Sequence, residues 1–474
     1  MSSLPASLAA ELRGLSGVRT SVRAHVLEEA SGDFGGLVRR RPAVVARPAN
    51  AEQVARTLRF AAARGIPIST RGTGHSIGGQ TLNAGGIVMD MRSLARIHSI
   101  NAEERWVDVE AGASWHAVVR ATLERGLVPP VLTGTLAPTV GGTHSVGGLG
   151  HASIRHGSQA DNCLGIEVAT LDGELRWCDA SVEPELFQHV LCGLGQLAVI
   201  TRVRHRLRKH AAYARVWRLI YQSRVRMVDD LQRLAVDSGA DFMAGSGVPV
   251  GSRFAYNIAV VFEVDSPGPD ERERVLSSLA PDIVRGPEVE RFAAFTLHQQ
   301  ANIADDSRPR NGVANPWVDG LFPAARARDC LDDVLWRLPA SVRQRTELQI
   351  WPLSTHCLTR PLFMVPESGL LMVVGIFPTI PDSATDGAIS AMAAVARRIS
   401  ELGAKRYVYG WLDYDAAGWA KHYGAGWPTL RRLKARYDPQ GILNPGFITY
   451  DDAADNPSAA AAGIAAGATP GVVA

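Results

Sequence analysis

Short apolar runs alternate with amphipathic stretches between residues 44 and about 208, and glycines separate many of them. Apolar positions 54, 58, 61 and 62 repeat at helical spacing after Asn50, which predicts a helix capped by Asn50 and ended by Gly65. Further strands are predicted at 66–70, 86–90 and 106–110, and a helix at 115–125. We therefore expect an α/β domain over residues 1–210.

The pattern changes between about residues 211 and 408, where glycines become fewer. Apolar runs predict strands at 256–262 and 370–377, and helical spacing predicts a helix at 383–401. This change indicates a second, α+β domain at 211–408. Residues 453–474 are mostly Ala, Gly and Pro, and they predict a disordered tail.

Composition narrows the classes of function. With 474 residues, the chain exceeds what one hydrophobic core usually covers. The formal net charge is +3 and basic residues are dispersed, so we expect no nucleic-acid partner. No apolar run reaches the ~18 residues of a membrane span, and the N-terminus does not resemble a signal peptide, so we expect a cytoplasmic protein. The cysteines form no CxxC pair, which argues against zinc sites and disulfides.

Glycine-rich segments carry the chemistry. Residues 71–80, Arg-Gly-Thr-Gly-His-Ser-Ile-Gly-Gly-Gln, follow a predicted strand. Such a loop can turn several backbone N–H groups toward one anion, such as a pyrophosphate, yet it matches neither the dinucleotide nor the P-loop fingerprint. A second segment, Thr-Val-Gly-Gly-Thr-His-Ser-Val-Gly-Gly-Leu-Gly, occupies 139–150, and the stretches 155–162 and 193–201 follow it.

The order and spacing of these segments resemble the FAD-binding domain of the vanillyl-alcohol oxidase superfamily, and most closely that of cytokinin dehydrogenases. Residues 419–427 and 434–446 are similar to the family's C-terminal stretch, and 315–323 and 350–353 to its substrate-cap segments. The resemblance implies an α+β fold with two domains. Residues 1–210 and 409–452 would form the FAD-binding domain, and 211–408 an α+β substrate cap.

The resemblance also implies a mechanism: a small-molecule substrate loses a hydride to FAD, which O2 or another electron acceptor reoxidises. FAD would be attached covalently through His75, because that residue occupies the place of the family's flavin-linked histidine. Ala137 stands where some relatives carry a second linking cysteine, so a single attachment is expected. The other residues implied to contact FAD are Gly72, Thr73, Gly74, Ser76, Gln80, Thr139, Gly142, Ser145, Leu149, Ile200 and Asn444.

One departure from the family pattern concerns the catalytic base. Cytokinin dehydrogenases place a proton-accepting aspartate five residues before the Thr-Val-Gly-Gly-Thr segment, where this chain has Gly134. A glycine cannot accept a proton, so another group is the base, the substrate is not a cytokinin-like amine, or no base is needed. Replacement bases are nominated at Glu347, His356 and Tyr414, with His144 and His422 as further options; each can equally be structural.

Several substrates and activities fit this pattern. The main interpretation is oxidation of a small amine, an allylic alcohol or a natural-product intermediate. The alternatives are a cytokinin dehydrogenase proper with a relocated base, and a flavoprotein cyclase or tailoring enzyme of secondary metabolism with little net oxidation. A metal site is not expected, because the histidines at 144, 151 and 156 lie in a glycine-rich region without a carboxylate at ligand spacing.

Overall fold

The computed structural model describes residues 3–251, 253–301, 312–381 and 385–450. The predicted disordered tail at 453–474 lies outside these residues. The helices are α1 (Ser3–Ser16), α2 (Ala24–Glu29), α3 (Ala51–Ala62), α4 (Trp115–Leu123), α5 (Val140–Val146), α6 (Ser153–His156), α7 (Pro184–Val190), α8 (Arg224–Asp237), α9 (Phe292–Ala301), α10 (Ala324–Arg337), α11 (Ala340–Arg343), α12 (Thr385–Glu401), α13 (Ala416–Tyr423) and α14 (Trp427–Tyr437).

The strands belong to three larger sheets and two short pairs. In chain order they are β1 (Arg19–Ser21), β2 (Val44–Arg47), β3 (Ile68–Arg71), β4 (Ile87–Asp90), β5 (Ile97–Asn101), β6 (Trp106–Glu110), β7 (Leu127–Val128), β8 (Cys163–Ala169), β9 (Leu175–Asp179), β10 (Val199–Arg206), β11 (Arg208–Lys209), β12 (Tyr213–Tyr221), β13 (Phe242–Val250), β14 (Arg253–Val264), β15 (Ile283–Arg291), β16 (Val313–Ala314), β17 (Val318–Pro323), β18 (Thr346–Ser354), β19 (Leu370–Pro378), β20 (Ile380–Pro381) and β21 (Lys405–Arg406).

Two sheets organise the first part of the chain. A four-stranded sheet has the order β1-β2-β4-β3, in which β4 pairs in parallel with both β2 and β3. A five-stranded antiparallel sheet has the order β5-β6-β10-β8-β9. The predicted helix after Asn50 is confirmed as α3, since the Asn50 side chain accepts a hydrogen bond from the Gln53 N–H at 2.9 Å.

An eight-stranded antiparallel sheet organises the second part, in the order β15-β12-β14-β13-β18-β19-β17-β21. Its two faces have different neighbours, because side chains alternate along each strand. On β18, Leu348 and Ile350 belong to the core beneath helices α8, α10 and α12, whereas Trp351 and Leu353 join the core of the five-stranded sheet. The predicted boundary at 210–211 falls between β11 and β12, where the chain passes into this sheet.

The C-terminal stretch is fastened to the first part of the chain by a buried ion pair. The Lys434 ammonium lies 2.6 Å from the Asp438 carboxylate and donates to the carbonyl oxygens of Gln196 and Leu443. Asp438 in turn accepts from the backbone N–H groups of Ile442 and Leu443. Every charged atom of the pair therefore has partners, which a buried pair requires to be tolerated.

His144 of α5 and His205 of β10 form a buried pair. His144 Nδ1 lies 2.8 Å from the Val140 carbonyl oxygen, and His144 Nε2 lies 3.2 Å from His205 Nδ1. Burial lowers the pKa of His144 to about 4 and holds that of His205 well below its ordinary value. Both rings are therefore neutral in the folded protein at neutral pH.

No helix in the described ranges is both long and apolar enough to cross a membrane. The cysteines at 163, 178, 192 and 357 are free, and the first three are buried, as expected for small apolar residues. The side chain of Cys330 lies outside the described residues.

The buried His144–His205 pair predicts that the folded protein loses stability in acid. The unfolded chain binds protons on both histidines as the pH falls below about 6.5, whereas in the folded protein burial lowers the pKa of His144 to about 4 and holds the pKa of His205 well below its ordinary value. The free energy of unfolding should therefore decrease as the pH falls through this window, by up to about 1.4 kcal/mol per pH unit for each histidine. Urea denaturation at several pH values measures the slope. In the His205→Gln variant, the slope of the unfolding free energy against pH should be smaller by the contribution of about one proton. An unchanged slope would contradict this account.

Candidate active site

A cavity of about 740 Å³ lies between the glycine-rich segments and the eight-stranded sheet. This volume falls in the range of ~300–1,000 Å³ that is usual for small-molecule sites. Every residue predicted to contact FAD lies in the cavity wall: Gly72, Thr73, Gly74, His75, Ser76, Gln80, Thr139, Gly142, Ser145, Leu149, Ile200 and Asn444. The fold thus brings segments that are far apart in sequence to one place.

His75 presents a neutral ring to this cavity. Its Nε2 atom is buried and has no hydrogen-bond partner among the described residues. Burial lowers the pKa of His75 to about 4, so the ring carries no proton charge at neutral pH. The ring packs at 30° against Phe34, with centroids 5.5 Å apart. An unpaired, neutral imidazole in a cavity wall is chemically suited to act as a nucleophile.

The two glycine-rich segments touch each other at Gly72 and Thr139. A Cβ atom on Gly72 would come within 2.3 Å of Thr139 Oγ1, so only glycine permits this approach. Thr139 caps α5, accepting a hydrogen bond from the Gly142 N–H at 3.3 Å. Backbone of both segments is therefore exposed to a ligand in the cavity, as a phosphate-bearing cofactor requires.

Some predicted cofactor residues also hold the wall together. The Asn444 side chain accepts from the Thr70 N–H at 2.9 Å and donates to the Gly195 carbonyl at 2.7 Å. The Gln80 side chain donates to the carbonyl oxygens of Val408 and Tyr409, both at 3.2 Å. These amides fix the wall and are already hydrogen-bonded to protein.

Tyr407 is a wall residue that the sequence analysis missed. Its hydroxyl accepts from the backbone N–H groups of Gly148 and Leu149, at 2.9 and 3.2 Å. The neighbouring Tyr409 also lines the cavity, and its ring lies 4.9 Å from that of Tyr407. Neither tyrosine belongs to a recognisable motif, since only the return of the chain after β21 brings them to the glycine-rich segments.

The cap wall is built from one face of β18 and a group of aromatic rings. Glu347, Gln349 and Trp351 alternate along β18 and all line the cavity. Trp317 and Phe377 add rings whose centroids are 4.6 Å apart. The sequence signal for Trp317 and Trp351 was their place in the cap segments, but no local pattern identified Phe377.

The nominated bases are separated by the fold. Glu347 lines the cavity, and Gln349 Nε2 donates to its carboxylate at 3.2 Å. His356 does not line the cavity and is exposed, because it lies in a helical turn after β18 has ended. Tyr414 does not line it either, since its ring packs edge-on against Trp419, 5.3 Å away. The nominated residues His356 and Tyr414 therefore lie outside the cavity wall in this structure.

The two histidines nominated as further options are likewise absent from the wall. His144 belongs to the buried pair with His205, and His422 is buried between Tyr414 and Trp419. Within the described part of the chain, no three His, Cys, Asp or Glu side chains are grouped closely enough to hold a metal ion.

Gly134 also lies in the cavity wall. A Cβ atom built on Gly134 meets no atom of the described residues within 4 Å, and the φ of Gly134 lies outside the left-handed region. A larger side chain at this position would therefore point into open space.

Comparison with known proteins identifies the relatives of this chain. Residues 42–179 match the family model described as an FAD binding domain, and residues 299–449 match one described as "Cytokinin dehydrogenase 1, FAD and cytokinin binding". Cytokinin dehydrogenase 6 of Oryza sativa subsp. japonica is 30% identical over 474 residues, which cover 88% of each chain. An uncharacterized oxidoreductase, ORF5 in the fasciation locus of Rhodococcoides fascians, is 29% identical over 90% of this chain and 98% of its own length.

A solved structure shares the fold. The crystal structure of 6-hydroxy-D-nicotine oxidase from Arthrobacter nicotinovorans aligns with a TM-score of 0.73 over 92% of this chain and 97% of that chain, at 20% identity. The predicted two-domain α+β fold of the vanillyl-alcohol oxidase type is thereby confirmed. The glycine-rich wall and the neutral His75 ring fit FAD, and with them the sequence identity places this chain in the cytokinin dehydrogenase family of FAD-dependent oxidoreductases.

Proposed function

We propose that this oxidoreductase holds FAD through a covalent bond to His75 and oxidises a small molecule at a carbon bonded to nitrogen or oxygen. The observation that carries the proposal is the His75 ring, which lines the cavity, is neutral, and has a buried nitrogen with no hydrogen-bond partner in the described part of the chain. Bound FAD would accept the substrate's hydride at N5 and pass the electrons to O2 or another acceptor.

The electron acceptor that serves turnover would also take up the electrons that flavin attachment releases. Attachment would form a bond between an imidazole nitrogen of His75 and the 8-methyl carbon of the isoalloxazine, and one N–H and one C–H bond would break. Two protons would be released, and the two electrons would go to the flavin and then to the acceptor. The neutral imidazole supplies the lone pair for this bond, which a protonated ring could not do.

The cap wall supports a flat substrate with a polar group. The rings of Trp317, Trp351 and Phe377 offer apolar contact area, and Glu347 with Gln349 offers one carboxylate and one amide. Such a wall can orient an amine or alcohol while the rings exclude water. Glu347 is the nominated base that reaches this space, and we assign it the substrate's proton.

Cytokinin itself is the second candidate substrate. Two observations favour it: the match of residues 299–449 to the cytokinin-binding model, and the presence of a carboxylate, Glu347, in the same cavity as Gly134. In this case the proton acceptor has moved from the loop before α5 to strand β18.

Replacement of His75 tests the attachment. His75→Ala should leave FAD bound only non-covalently, because the nucleophilic nitrogen is gone. We expect the wild-type polypeptide mass to exceed the sequence mass by one FAD, with yellow colour in the acid pellet, and the His75→Ala mass to match the bare chain. A wild-type protein that releases all its flavin into the acid supernatant would refute covalent attachment.

Replacement of Glu347 tests the proton acceptor. Glu347→Gln keeps the size of the side chain and removes its basicity, so kcat/KM should fall by ~10²-fold or more while FAD content stays unchanged. Glu288→Gln, on the outer strand β15, is the matched control and should behave as wild type. Equal loss in both variants, or no loss at Glu347, would exclude the assigned role.

Restoring an aspartate at position 134 tests the substrate class. Because the position is open, Gly134→Asp should fold and place a carboxylate in the cavity. If the substrate is a cytokinin-like amine, kcat/KM toward it should rise by ~10-fold or more, since a second proton acceptor is then present. Gly387→Asp, at another open glycine outside the cavity, serves as the control. Unchanged kcat/KM with cytokinins would favour an alcohol or another substrate that needs no such base.

A further inference from the structure

A segment of the chain between α2 and β2 links the His75 loop to the cap. This bridge, defined as residues Asp33, Phe34 and Gly35, contacts the loop at 74–79 on one side and residues 315–317 on the other. It was not singled out by the sequence analysis, because it contains no nucleotide-binding pattern.

The bridge holds both neighbours of His75 by hydrogen bonds. The Phe34 N–H donates to the Gly74 carbonyl at 2.9 Å, and the Gly35 N–H donates to the Ser76 carbonyl at 3.2 Å. The backbone on each side of His75 is therefore tied to the same short segment, and the imidazole has little freedom to change its direction.

The Asp33 carboxylate adds a side-chain attachment to the same loop. It accepts from the Gly79 N–H at 2.8 Å and from the Ser76 hydroxyl at 3.0 Å. Asp33 is fully buried, and both of these hydrogen bonds are made to its Oδ2 atom, whereas Oδ1 has no hydrogen-bond partner among the described residues. Asp33 thus holds the loop at two positions that follow His75 in the chain.

Packing reinforces these hydrogen bonds. The Phe34 ring lies against the His75 ring and meets Trp317 edge-on, with centroids 4.8 Å apart. A Cβ atom on Gly35 would come within 2.0 Å of the Ile77 carbonyl oxygen, so the bridge and the loop are in direct backbone contact. The imidazole is consequently held between its own loop and an aromatic ring.

The other side of the bridge is fastened to the cap by Asn315. Its Nδ2 donates to the Phe34 carbonyl at 2.8 Å, and its backbone N–H donates to the Gly35 carbonyl at 2.8 Å. Its Oδ1 accepts from the Thr379 hydroxyl at 3.1 Å. Asn315 is buried and uses its donor and acceptor groups in this contact, so its position is determined by both domains.

We propose that Asp33 and Asn315 are positioning residues for flavin attachment, and that the bridge aligns His75 only when the cap is docked. The inference rests on the proposed covalent link. The physical reason is that bond formation requires the attacking nitrogen to be held close to, and aligned with, the carbon that it attacks, and a misplacement of about 1 Å can cost ~10²-fold in rate.

The test measures attachment rather than turnover. Full-length protein, expressed with limiting riboflavin, is mixed with FAD, and the covalent fraction is followed by intact mass. Asp33→Asn and Asn315→Ala should each slow attachment by at least ~10-fold, because each removes one side of the bridge. Non-covalent FAD binding, followed by flavin fluorescence, should change far less. The double variant should be little slower than the slower single variant, since both residues act through one bridge.

Matched controls separate positioning from stability. Asp230 is another buried carboxylate, which accepts from the Tyr221 hydroxyl at 2.9 Å and the Ala280 N–H at 2.7 Å in the cap. Asn257 donates to the Ser246 hydroxyl at 2.7 Å on the same sheet. Asp230→Asn and Asn257→Ala should lower the thermal midpoint and still attach FAD at the wild-type rate.

The outcomes distinguish the two proposals. If the wild-type protein acquires no covalent FAD, the His75 linkage is wrong and the bridge has no such role. If the wild-type protein attaches FAD and both bridge variants do so at the same rate, only the bridge inference is overturned. Slowing of the controls by the same factor would also overturn it, since loss of stability alone would then explain the effect. The two variants act from different domains, so one that fails to fold leaves the other to decide.

Discussion

Buried backbone N–H and C=O groups must be hydrogen-bonded, and this constraint governs the whole cavity. Its cofactor side is made largely of glycine-rich backbone, which brings few side chains of its own. Distant residues supply the missing partners: Asn444 joins β3 to the loop before β10, and the Tyr407 hydroxyl accepts from Gly148 and Leu149. The wall therefore keeps its shape only when the C-terminal third of the chain has returned to the first.

The buried Lys434–Asp438 pair contributes to that return, because the Lys434 ammonium also donates to the Gln196 carbonyl oxygen in the first part of the chain. An isolated charge in this position would cost several kcal/mol, but here the ammonium and the carboxylate are each bonded to backbone groups as well as to each other. Both members of the pair bond to the backbone of Leu443, the residue directly before Asn444. The pair therefore positions the Asn444 amide, which closes the cavity wall. The buried Lys434 ammonium thus helps to position an uncharged side chain, the Asn444 amide, at the cofactor site.

The eight-stranded sheet separates the two tasks of the cap. One face packs on the helices and carries the apolar core, while the other presents alternate side chains of β18 to the cavity. Substrate-facing residues can consequently differ without disturbing the helical layer.

The sequence by itself determined the local features, because each depends on neighbouring residues or on a motif of fixed spacing: the capped helix α3, the strands β3, β4, β6, β14 and β19, the glycine-rich loops and His75. Only the tertiary structure decided that Glu347 reaches the cavity and that His356 and Tyr414 do not. His356 lies beyond the end of β18, and the Tyr414 ring packs against Trp419. The Asp33–Gly35 bridge is a further case. Its contact with Asn315 joins residues 281 positions apart, and no local pattern encodes a hydrogen bond across such a distance.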